Sequence, residues 1–389
     1  MISPGLQNKA QIALECTLGI IQSNLQTFAD KFPDNTTLNN VYPLRKAQHG
    51  YEAGDNYGWT TAFWSGLLWL AYEMTDKHIF RDSGEQHILN FTNRVQNDLD
   101  LDTHDIGFLY TLSCIAPHQL IHHKQAKETA IRAAERLMTR YLDKVGVFQA
   151  WGTLDDPQLR GNTIIDSLMN MPLLYRVSQI TGDERFAQAA HQHVCRLRDD
   201  VVRPNNTTFH TFYWDIETGK PLRGKTAQGH SDDSCWARGQ AWSIYGFTLS
   251  YHYTSDTSFL ETAQGCADYF IAHLPEDHVV YWDLIFGNES DEPRDSSSAA
   301  IAVCGLLELV KHLPESEKRQ HYLNTAETIL GSLIDNYSVC KQSDANALIL
   351  HSVYDKKKSK GVDEGCLWGD YFYMEALVRT LKPDWKMYW

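Results

Sequence analysis

Two aspartates, Asp105 and Asp166, lie where a carboxyl group could act as a general acid or base. Asp166 lies in RGNTIIDSLMNMPLL (160–174), which reads as a helix that is apolar on almost every face, and Asp105 precedes the helix of THDIGFLY. Apolar surroundings raise the pKa of a carboxyl group, and a general acid needs a raised pKa near neutral pH. A capping role is the alternative, since Thr163 with Asp166 fits a capping box and Asp105 suits a helix N-cap.

A second group of polar and aromatic side chains is suited to binding a sugar acid. In HSDDSCWARGQAWSIYGF (230–247), Arg238 and Trp242 share a helical face at i, i+4. A guanidinium group can bind a carboxylate in a bidentate manner, and an indole can stack on a sugar ring, although an exposed Arg–Trp stack is a simpler interpretation. The other candidates for the same cleft are Trp59, Trp151, Arg160, Asn162, Asn170, His210 and Gln228.

The run KKKSKG (356–361) contains Lys358 and Lys360, which could bind an anionic group or simply form a solvated turn. Glycine-rich phosphate loops, the H-E-x-x-H motif and the nucleophile elbow do not occur in the sequence. Nucleotide-dependent, zinc-peptidase and serine-hydrolase chemistry is therefore not indicated.

Helical periodicity and helix breakers predict about twelve helices and therefore an all-α protein. The predicted helices are 8–31, 60–75, 77–98, 107–116, 122–142, 163–181, 183–199, 238–254, 257–273, 296–312, 315–337 and 369–382. Strands are predicted only at 207–215 and 278–286, both within long connections.

Six of these helices are preceded or opened by clusters of aromatic, polar and glycine residues. The clusters are YGWTTAFWSG, THDIGFLY, RGNTIIDSLMN, DSCWARGQAW, EPRDSSSAA and CLWGDYFYMEAL. Turns with a shared Thr–Asp–Phe pattern, such as ITGDERFAQAA, indicate a repeated helical hairpin. Six inner and six outer helices would form an (α/α)6 toroid, a single domain over 1–389, with all six clusters at one mouth. A helical solenoid for protein binding is the alternative fold.

Composition narrows the class of protein. The formal net charge is −14, which argues against nucleic-acid binding, and no uninterrupted apolar stretch is long enough for a membrane span. The eight cysteines show no C-x-x-C pairing and suggest reduced thiols of a cytoplasmic protein. The first 21 residues lack a basic region and predict an amphipathic helix instead of a secretion signal. The oligomeric state is not indicated.

The chain resembles the unsaturated glucuronyl hydrolases of glycoside hydrolase family 88 from about residue 10 onwards. The resemblance is carried by W-T-x-x-F-W-S-G (59–66), H-D-x-G-F (104–108), N-T-I-I-D-x-L-M-N (162–170) and W-A-R-G-Q-A-W (236–242). It implies an (α/α)6 barrel without metal or cofactor, acting on lyase-generated oligosaccharides that end in a 4,5-unsaturated uronic acid. Asp166 would then be the general acid and base, and Asp105 its partner carboxylate.

By the same resemblance, the substrate would be bound by His210, Gln228, Arg238, Trp59, Trp151 and Trp242. Sulfate-selective members of the family have Ser-x-Ser-x-Lys near the C-terminal rim, where this chain reads KKKSKG. Sulfate preference is therefore open, with Lys358 and Lys360 as candidate anion ligands.

Three other functions remain compatible with these residues. An inverting glycosidase would use the same two aspartates on a saturated sugar, with the carboxyls about 6.5 to 9.5 Å apart. A noncatalytic carbohydrate-binding protein would need the aromatic mouth but neither aspartate. A sugar 2-epimerase also uses this toroid but usually relies on paired histidines, and no histidine lies in the segment that carries Asp166.

Overall fold

Thirteen α-helices and seven short strands make up the computed structural model, which describes residues 2–340 and 344–389. The helices are α1 (Pro4–Phe28), α2 (Thr61–Thr75), α3 (His78–Gln96), α4 (Ile106–Tyr110), α5 (Ala116–Ile121), α6 (Lys124–Met138), α7 (Met171–Thr181), α8 (Glu184–Arg196), α9 (Ala237–Thr254), α10 (Thr257–Ala272), α11 (Ser296–His312), α12 (Glu317–Ser332) and α13 (Leu367–Leu381). A π-helical turn, Thr111–Ile115, joins α4 to α5 in a single rod.

The inner helices are buried on every side, whereas the outer helices bury one face. Every residue of α11 from Ser296 to Val310 and of α13 from Leu367 to Thr380 is buried. Helix α8 instead buries Phe186, Ala189, Ala190, His193 and Val194, the one-sided spacing of an amphipathic surface helix. The sequence therefore contains two kinds of helix that suit two concentric layers.

The inner helices form a closed ring. In chain order, α2 packs against α4, α4 against α7, α7 against α9, α9 against α11, and α11 against α13, which returns to α2. Helix α1 lies against α13 and completes the outer layer. The protein is an (α/α)6 toroid, as the six residue clusters predicted.

Short antiparallel strands lie in the connections before the inner helices. They are β1 (Tyr141–Leu142), β2 (Val147–Phe148), β3 (Asn162–Ile164), β4 (Thr211–Trp214), β5 (Pro221–Lys225), β6 (Ser352–Asp355) and β7 (Lys360–Glu364). They pair as β1–β2, β3–β4–β5 and β6–β7, with Thr163 opposite Phe212 and Val353 opposite Val362. The strand predicted at 207–215 is confirmed in part by β4, whereas 278–286 forms only isolated bridges, including Tyr281 with Arg294.

The helix predicted over 163–181 was wrong in its first eight residues. Residues 162–164 belong to β3, Ile165–Asn170 forms a 3₁₀ turn, and the α-helix begins only at Met171. Pro172 explains the boundary, because proline lacks an N–H group and is tolerated in the first turn of a helix but not in its interior. Asp166 consequently lies in the 3₁₀ turn that leads into the inner helix.

The expectation of only reduced cysteines also fails. Cys16 in α1 and Cys340 beyond α12 form a disulfide with a Cα–Cα distance of 5.9 Å. Their separation of 324 positions hid the pairing, which depends on α1 and the C-terminal part of the chain meeting where the ring closes. Five other cysteines are buried thiols, and Cys195 is half-buried. Over the described residues, no helix is long and apolar enough to span a membrane.

Candidate active site

A close approach of two inner segments brings Asp105 and Asp166 together. Gly107, in the first turn of α4 after Asp105, lies so close to Asn170 that a Cβ added to the glycine would be 2.2 Å from the Asn170 Cα. The Asn170 Oδ1 atom accepts a hydrogen bond of 2.7 Å from the Phe108 amide. Glycine is therefore required here because any side chain would separate the two carboxylate-bearing segments.

His104 lies between the two carboxylates. Its Nε2 atom is 3.4 Å from Asp105 Oδ1 and 3.5 Å from Asp166 Oδ1, so these two oxygens are at most about 6.9 Å apart. Burial, together with the charge of Arg140, lowers the pKa of His104 to about 3. The ring is thus neutral at physiological pH and does not compensate the negative charge of the carboxylates.

Both carboxyl groups have raised pKa values. Burial raises the pKa of Asp105 to about 6, although hydrogen bonding from Thr103 and Asn170 partly opposes the rise. Burial also raises the pKa of Asp166 well above its usual range, and the negative charge of Asp105 raises it further. Near neutral pH, Asp166 therefore holds the proton and Asp105 is mainly ionised, which distinguishes an acid from its charged partner.

Neither aspartate acts as a helix cap through its side chain. The Asp105 side chain accepts instead from the Thr103 hydroxyl at 2.7 Å, and Asp166 Oδ1 is buried without a hydrogen-bond partner among the described residues. Thr163, the expected partner in the capping box, donates to Ser167 instead. An unpaired buried oxygen disfavours the ionised carboxylate, which agrees with a protonated Asp166.

A model of Glycosyl Hydrolase Family 88 matches residues 27–382. The chain belongs to this family. It is 43% identical over 378 residues to the unsaturated chondroitin disaccharide hydrolase of Streptococcus pneumoniae strain R6, covering 97% of this chain and 93% of that protein. It is 40% identical over 370 residues to the unsaturated glucuronyl hydrolase of Bacillus sp. strain GL1, covering 95% and 96% of the two chains.

Solved structures agree with this assignment. The crystal structure of unsaturated glucuronyl hydrolase from Streptococcus agalactiae superposes with a TM-score of 0.93 at 43% identity, covering all of this chain and 95% of that chain. A variant of the same enzyme complexed with dGlcA-GalNAc6S has a TM-score of 0.85 at 41% identity, covering 98% and 94% of the two chains. The protein described here is therefore a family 88 glycoside hydrolase.

In this family 88 hydrolase, the guanidinium group of Arg238 is hydrogen-bonded to other residues of the protein. Its two terminal nitrogens donate to Asp295 Oδ2, the Val353 and Tyr354 carbonyls and Gln228 Oε1, at 2.5–3.2 Å. The guanidinium group lies 4.4 Å from the Trp236 ring centroid, and only 2% of the side chain is exposed. The expected direct donor to a uronate therefore lies behind the cleft, where its charge lowers the pKa of Asp166.

His210 and Gln228 have donor groups that are oriented by their neighbours. The His210 Nδ1 atom accepts hydrogen bonds from the amides of Ala227 and Gln228, which places the ring proton on Nε2. Burial lowers the pKa of His210 to about 3, so the ring is a neutral donor. Because Gln228 Oε1 accepts from Arg238, its amide nitrogen is directed as a second donor. His210 Nε2 and the Gln228 amide are therefore oriented donors, whereas the Arg238 nitrogens already donate within the protein.

The aromatic candidates lie at two depths. Trp59 is partly exposed, and its indole N–H donates to the Tyr354 hydroxyl at 3.0 Å, which holds the ring at the mouth. Trp242 is 1% exposed and packs beneath it on Phe108 and Phe372. Trp59 thus stays partly accessible, whereas Trp242 is buried beneath it.

The remaining sequence candidates occupy the rim and its supports. Trp151 is half-buried and forms a backbone bridge with Thr103, next to Asp105. Arg160 is exposed on the same connection, while Asn162 and Asn170 are fully buried. Asn162 donates to the Leu159 carbonyl and therefore orders that connection.

The two rim lysines lie at the β6–β7 hairpin. Lys358 is exposed and pairs with Asp355 at 3.3 Å. The Lys360 ammonium lies 4.2 Å from the ring centroid of Tyr354, and burial lowers its pKa. Of these two, Lys360 lies nearer the aromatic mouth, whereas the charge of Lys357 adds to burial and to the charge of Arg238 in lowering the pKa of His210.

Sequence reasoning missed three supporting residues of the site. His104 was named only as part of a motif, Tyr354 was not considered, and Asp295 was seen only in the cluster EPRDSSSAA. Asp295 is fully buried, caps α11 by accepting from the Ser297 amide, and pairs with Arg238. The sequence could have indicated Asp295 as a helix cap, because it precedes three serines at the start of a predicted helix. No neighbouring residues in the sequence indicate that Tyr354 lies at the site.

Proposed function

We propose that the enzyme releases the 4,5-unsaturated uronic acid from the non-reducing end of lyase-generated disaccharides by hydrating its double bond. The observation that carries this proposal is the carboxyl pair at His104, with Asp166 protonated and Asp105 mainly ionised near neutral pH. A single neutral acid next to a charged carboxylate is what protonation of an electron-rich alkene requires.

The chemistry follows from the substrate class. In a 4,5-unsaturated uronic acid the ring oxygen and the alkene form a vinyl ether, whose carbon 4 accepts a proton while positive charge develops at carbon 5. Asp166 donates that proton, and its carboxylate then removes a proton from the water that attacks carbon 5. The resulting hemiketal opens and expels the neighbouring sugar. Asp105, ionised beside the developing cation, stabilises the positive charge.

Substrate recognition is assigned to the oriented groups of the cleft. His210 Nε2 and the Gln228 amide would donate to the polar groups of the uronic acid, including its carboxylate, and Trp59 would stack on a sugar ring. Arg238 would act through Gln228, which it orients, and through its charge. Trp151 would extend the surface that contacts the second sugar.

Chondroitin-type disaccharides are the proposed substrates, because unsaturated chondroitin disaccharide hydrolases are similar over nearly the whole chain. We assign Lys360 to an anionic group of the second sugar, since it lies at the aromatic mouth without an ion-pair partner of its own among the described residues.

The proposal is tested with one unsaturated and one saturated disaccharide. Hydration removes the absorbance of the conjugated enoate near 235 nm, whereas an inverting glycosidase would act on the saturated sugar. The Oδ1 atoms are at most about 6.9 Å apart, so only the lowest part of the inverting range of roughly 6.5–9.5 Å is open to this pair. A noncatalytic binding protein would turn over neither sugar.

In heavy water the released product should carry one deuterium at carbon 4. Product without deuterium at that carbon would exclude hydration through a protonated Asp166.

We further propose that the chain is one catalytic domain, since a continuous core links residues from Leu6 to Trp389. The Cys16–Cys340 disulfide disfavours the cytoplasmic location that the sequence suggested, because disulfides persist mainly in oxidising compartments.

A further inference from the structure

Three potential metal ligands meet on the outer layer of the toroid, between α8 and α10. His191 and Cys195 lie on α8, and Asp256 is the N-cap of α10. The i, i+4 spacing places the imidazole and the thiol on one face of α8, which is common for metal ligands on a helix. These side chains are partly exposed, so an ion can reach them.

The distances among these groups suit a four-coordinate ion. The His191 Nε2 atom is 3.2 Å from Asp256 Oδ2 and 3.9 Å from Cys195 Sγ, and all three ligand atoms lie within 4.8 Å of one another. In a tetrahedral site with bonds of about 2.0–2.3 Å, neighbouring ligand atoms are roughly 3.3–3.8 Å apart. Small side-chain rotations therefore suffice to bring the three atoms around one ion.

The carboxylate is already oriented for this role. Asp256 Oδ1 accepts from the amide and the hydroxyl of Ser258, at 3.0 and 2.7 Å, which leaves Oδ2 directed at His191. Supporting hydrogen bonds of this kind orient metal ligands in proteins. The Asp256 side chain thus caps α10 with one oxygen and offers the other.

A second cluster of potential metal ligands is less suitable for binding a cation. His252, Glu308 and His312 also bring three potential ligand atoms together, beside a cavity of about 490 Å³ at the opposite ends of the inner helices. Glu308, however, is already bound by Arg379 at 2.6 Å and Lys311 at 3.1 Å. These cations repel a divalent ion.

Near Cys195 the balance of charge is different. The closest cation, Arg198, is paired with Asp199 at 2.8 Å. It also donates a hydrogen bond of 2.6 Å from Nη1 to the Ser258 hydroxyl. The Asp256 carboxylate therefore keeps its negative charge available to a metal ion, and the Cys195 thiol would supply a second charge on losing its proton.

We propose that His191, Cys195 and Asp256 bind a divalent ion of the zinc class, with water as the fourth ligand. Cysteine, histidine and aspartate together are a typical zinc ligand set, and the thiol releases a proton when the ion binds. The ion would link α8 to α10 on the outer layer and would take no part in the carboxylate chemistry of the cleft.

Cobalt(II) provides a spectroscopic test with the intact enzyme, purified without reductant. One equivalent of cobalt should give a thiolate-to-cobalt charge-transfer band in the near ultraviolet and the visible bands of a four-coordinate ion. Cys195→Ser should abolish the near-ultraviolet band, and Asp256→Asn, which can still cap α10, should weaken binding at least tenfold. His312→Ala, in the second cluster, is the matched control and should bind cobalt as the wild type does.

Thiol chemistry gives a second measurement. Cys195 is the most accessible free thiol of the described residues, so N-ethylmaleimide should label it first in the native protein. Zinc should slow this labelling at least tenfold. Hydrolase activity should be unchanged in Cys195→Ser, which shows that the variant is folded. The proposal is overturned if the wild type gives no thiolate band, if the band persists in Cys195→Ser, or if zinc leaves the labelling rate unchanged.

Discussion

At the scale of single residues, the division of labour between Asp166 and Asp105 predicts the effect of removing the acid. Asp166→Asn keeps the size of the side chain but has no proton of suitable acidity to donate. Turnover should fall by roughly 10²- to 10⁴-fold, the usual contribution of general acid–base catalysis, while the unsaturated disaccharide still binds. Single-turnover kinetics and calorimetric binding would measure the two effects. A variant with near wild-type turnover would exclude Asp166 as the acid.

The Thr103 hydroxyl predicts a shift in the pH dependence. It donates to Asp105 and lowers the pKa of that carboxyl, which burial raises to about 6. In Thr103→Val the pKa of Asp105 should rise by roughly one to two units, because a hydrogen bond to a charged group contributes about 1.5–3 kcal/mol and one unit is about 1.4 kcal/mol. Ionised Asp105 is the active form. As the solution is acidified, the Thr103→Val variant should therefore lose activity at a higher pH than the wild type does.

The acid limb of kcat/KM against pH measures this shift, and it reports the coupled pair of carboxyls. Thr103→Ser retains the hydroxyl and should keep the wild-type limb. An unchanged limb in Thr103→Val would mean that Asp105 does not control it.

Arg238→Lys should impair the enzyme even though the charge is kept. Lysine has one nitrogen, and it cannot replace four hydrogen bonds directed at Asp295, Gln228 and two carbonyls of the β6 strand. We expect KM to rise, because Gln228 loses its orientation, and the melting temperature to fall, because β6 loses its anchor. Steady-state kinetics and thermal unfolding would show both effects, and wild-type values in both would refute this role.

The sequence alone predicted Asp166 as the acid and several binding residues, but it did not show which of their side chains are buried and which face the cleft. Trp242 and Trp59 both read as stacking platforms, yet only the packing of Phe108 between them decides which one faces the cleft. Likewise, the aspartate that neutralises Arg238 lies 57 positions away, so sequence could not show that the guanidinium group is already bound.

At the scale of elements, the contact between the α4 rod and the 3₁₀ turn predicts the outcome of Gly107→Ala. The added Cβ would meet the backbone of Asn170 at 2.2 Å, so the two segments must separate and the carboxylates with them. We expect a fall in kcat of at least tenfold and a destabilisation of about 1–3 kcal/mol, typical of overpacking. Gly331→Ala in α12 meets no atom within 4 Å and is the control, which should be neutral or slightly stabilising.

The helices were predictable because each outer helix buries a single face and each inner helix is apolar on all sides. Helix α11 was predicted to within a residue at both ends, since Asp295 caps its first turn. The segment 163–170 was mistaken for helix because a run of buried residues looks the same in a strand, a 3₁₀ turn and a helix. The hairpins β1–β2 and β6–β7 are too short to show a periodicity of two.

At the scale of the whole molecule, the Cys16–Cys340 disulfide predicts a redox-dependent stability. It joins residues 324 positions apart and thereby restricts the unfolded chain strongly. Cys16→Ser should lower the free energy of unfolding by about 2–5 kcal/mol and reduce the melting temperature by several degrees. Differential scanning calorimetry with and without dithiothreitol would test this, with Cys195→Ser as the control. A variant as stable as the oxidised wild type would show that the bond contributes nothing.

The closed ring of inner helices also has a consequence for the order of folding. Each helical hairpin can form from neighbours in the chain, but the contacts of α13 with α2 and α1 must wait until nearly the whole chain has been placed. The entropy of closing so long a loop grows only with the logarithm of its length, by about 0.6 kcal/mol for each doubling. We therefore expect the ring to assemble one hairpin after another and to close last. Until then Cys16 and Cys340 are held apart, so the rate at which their bond forms during oxidative refolding measures that final step.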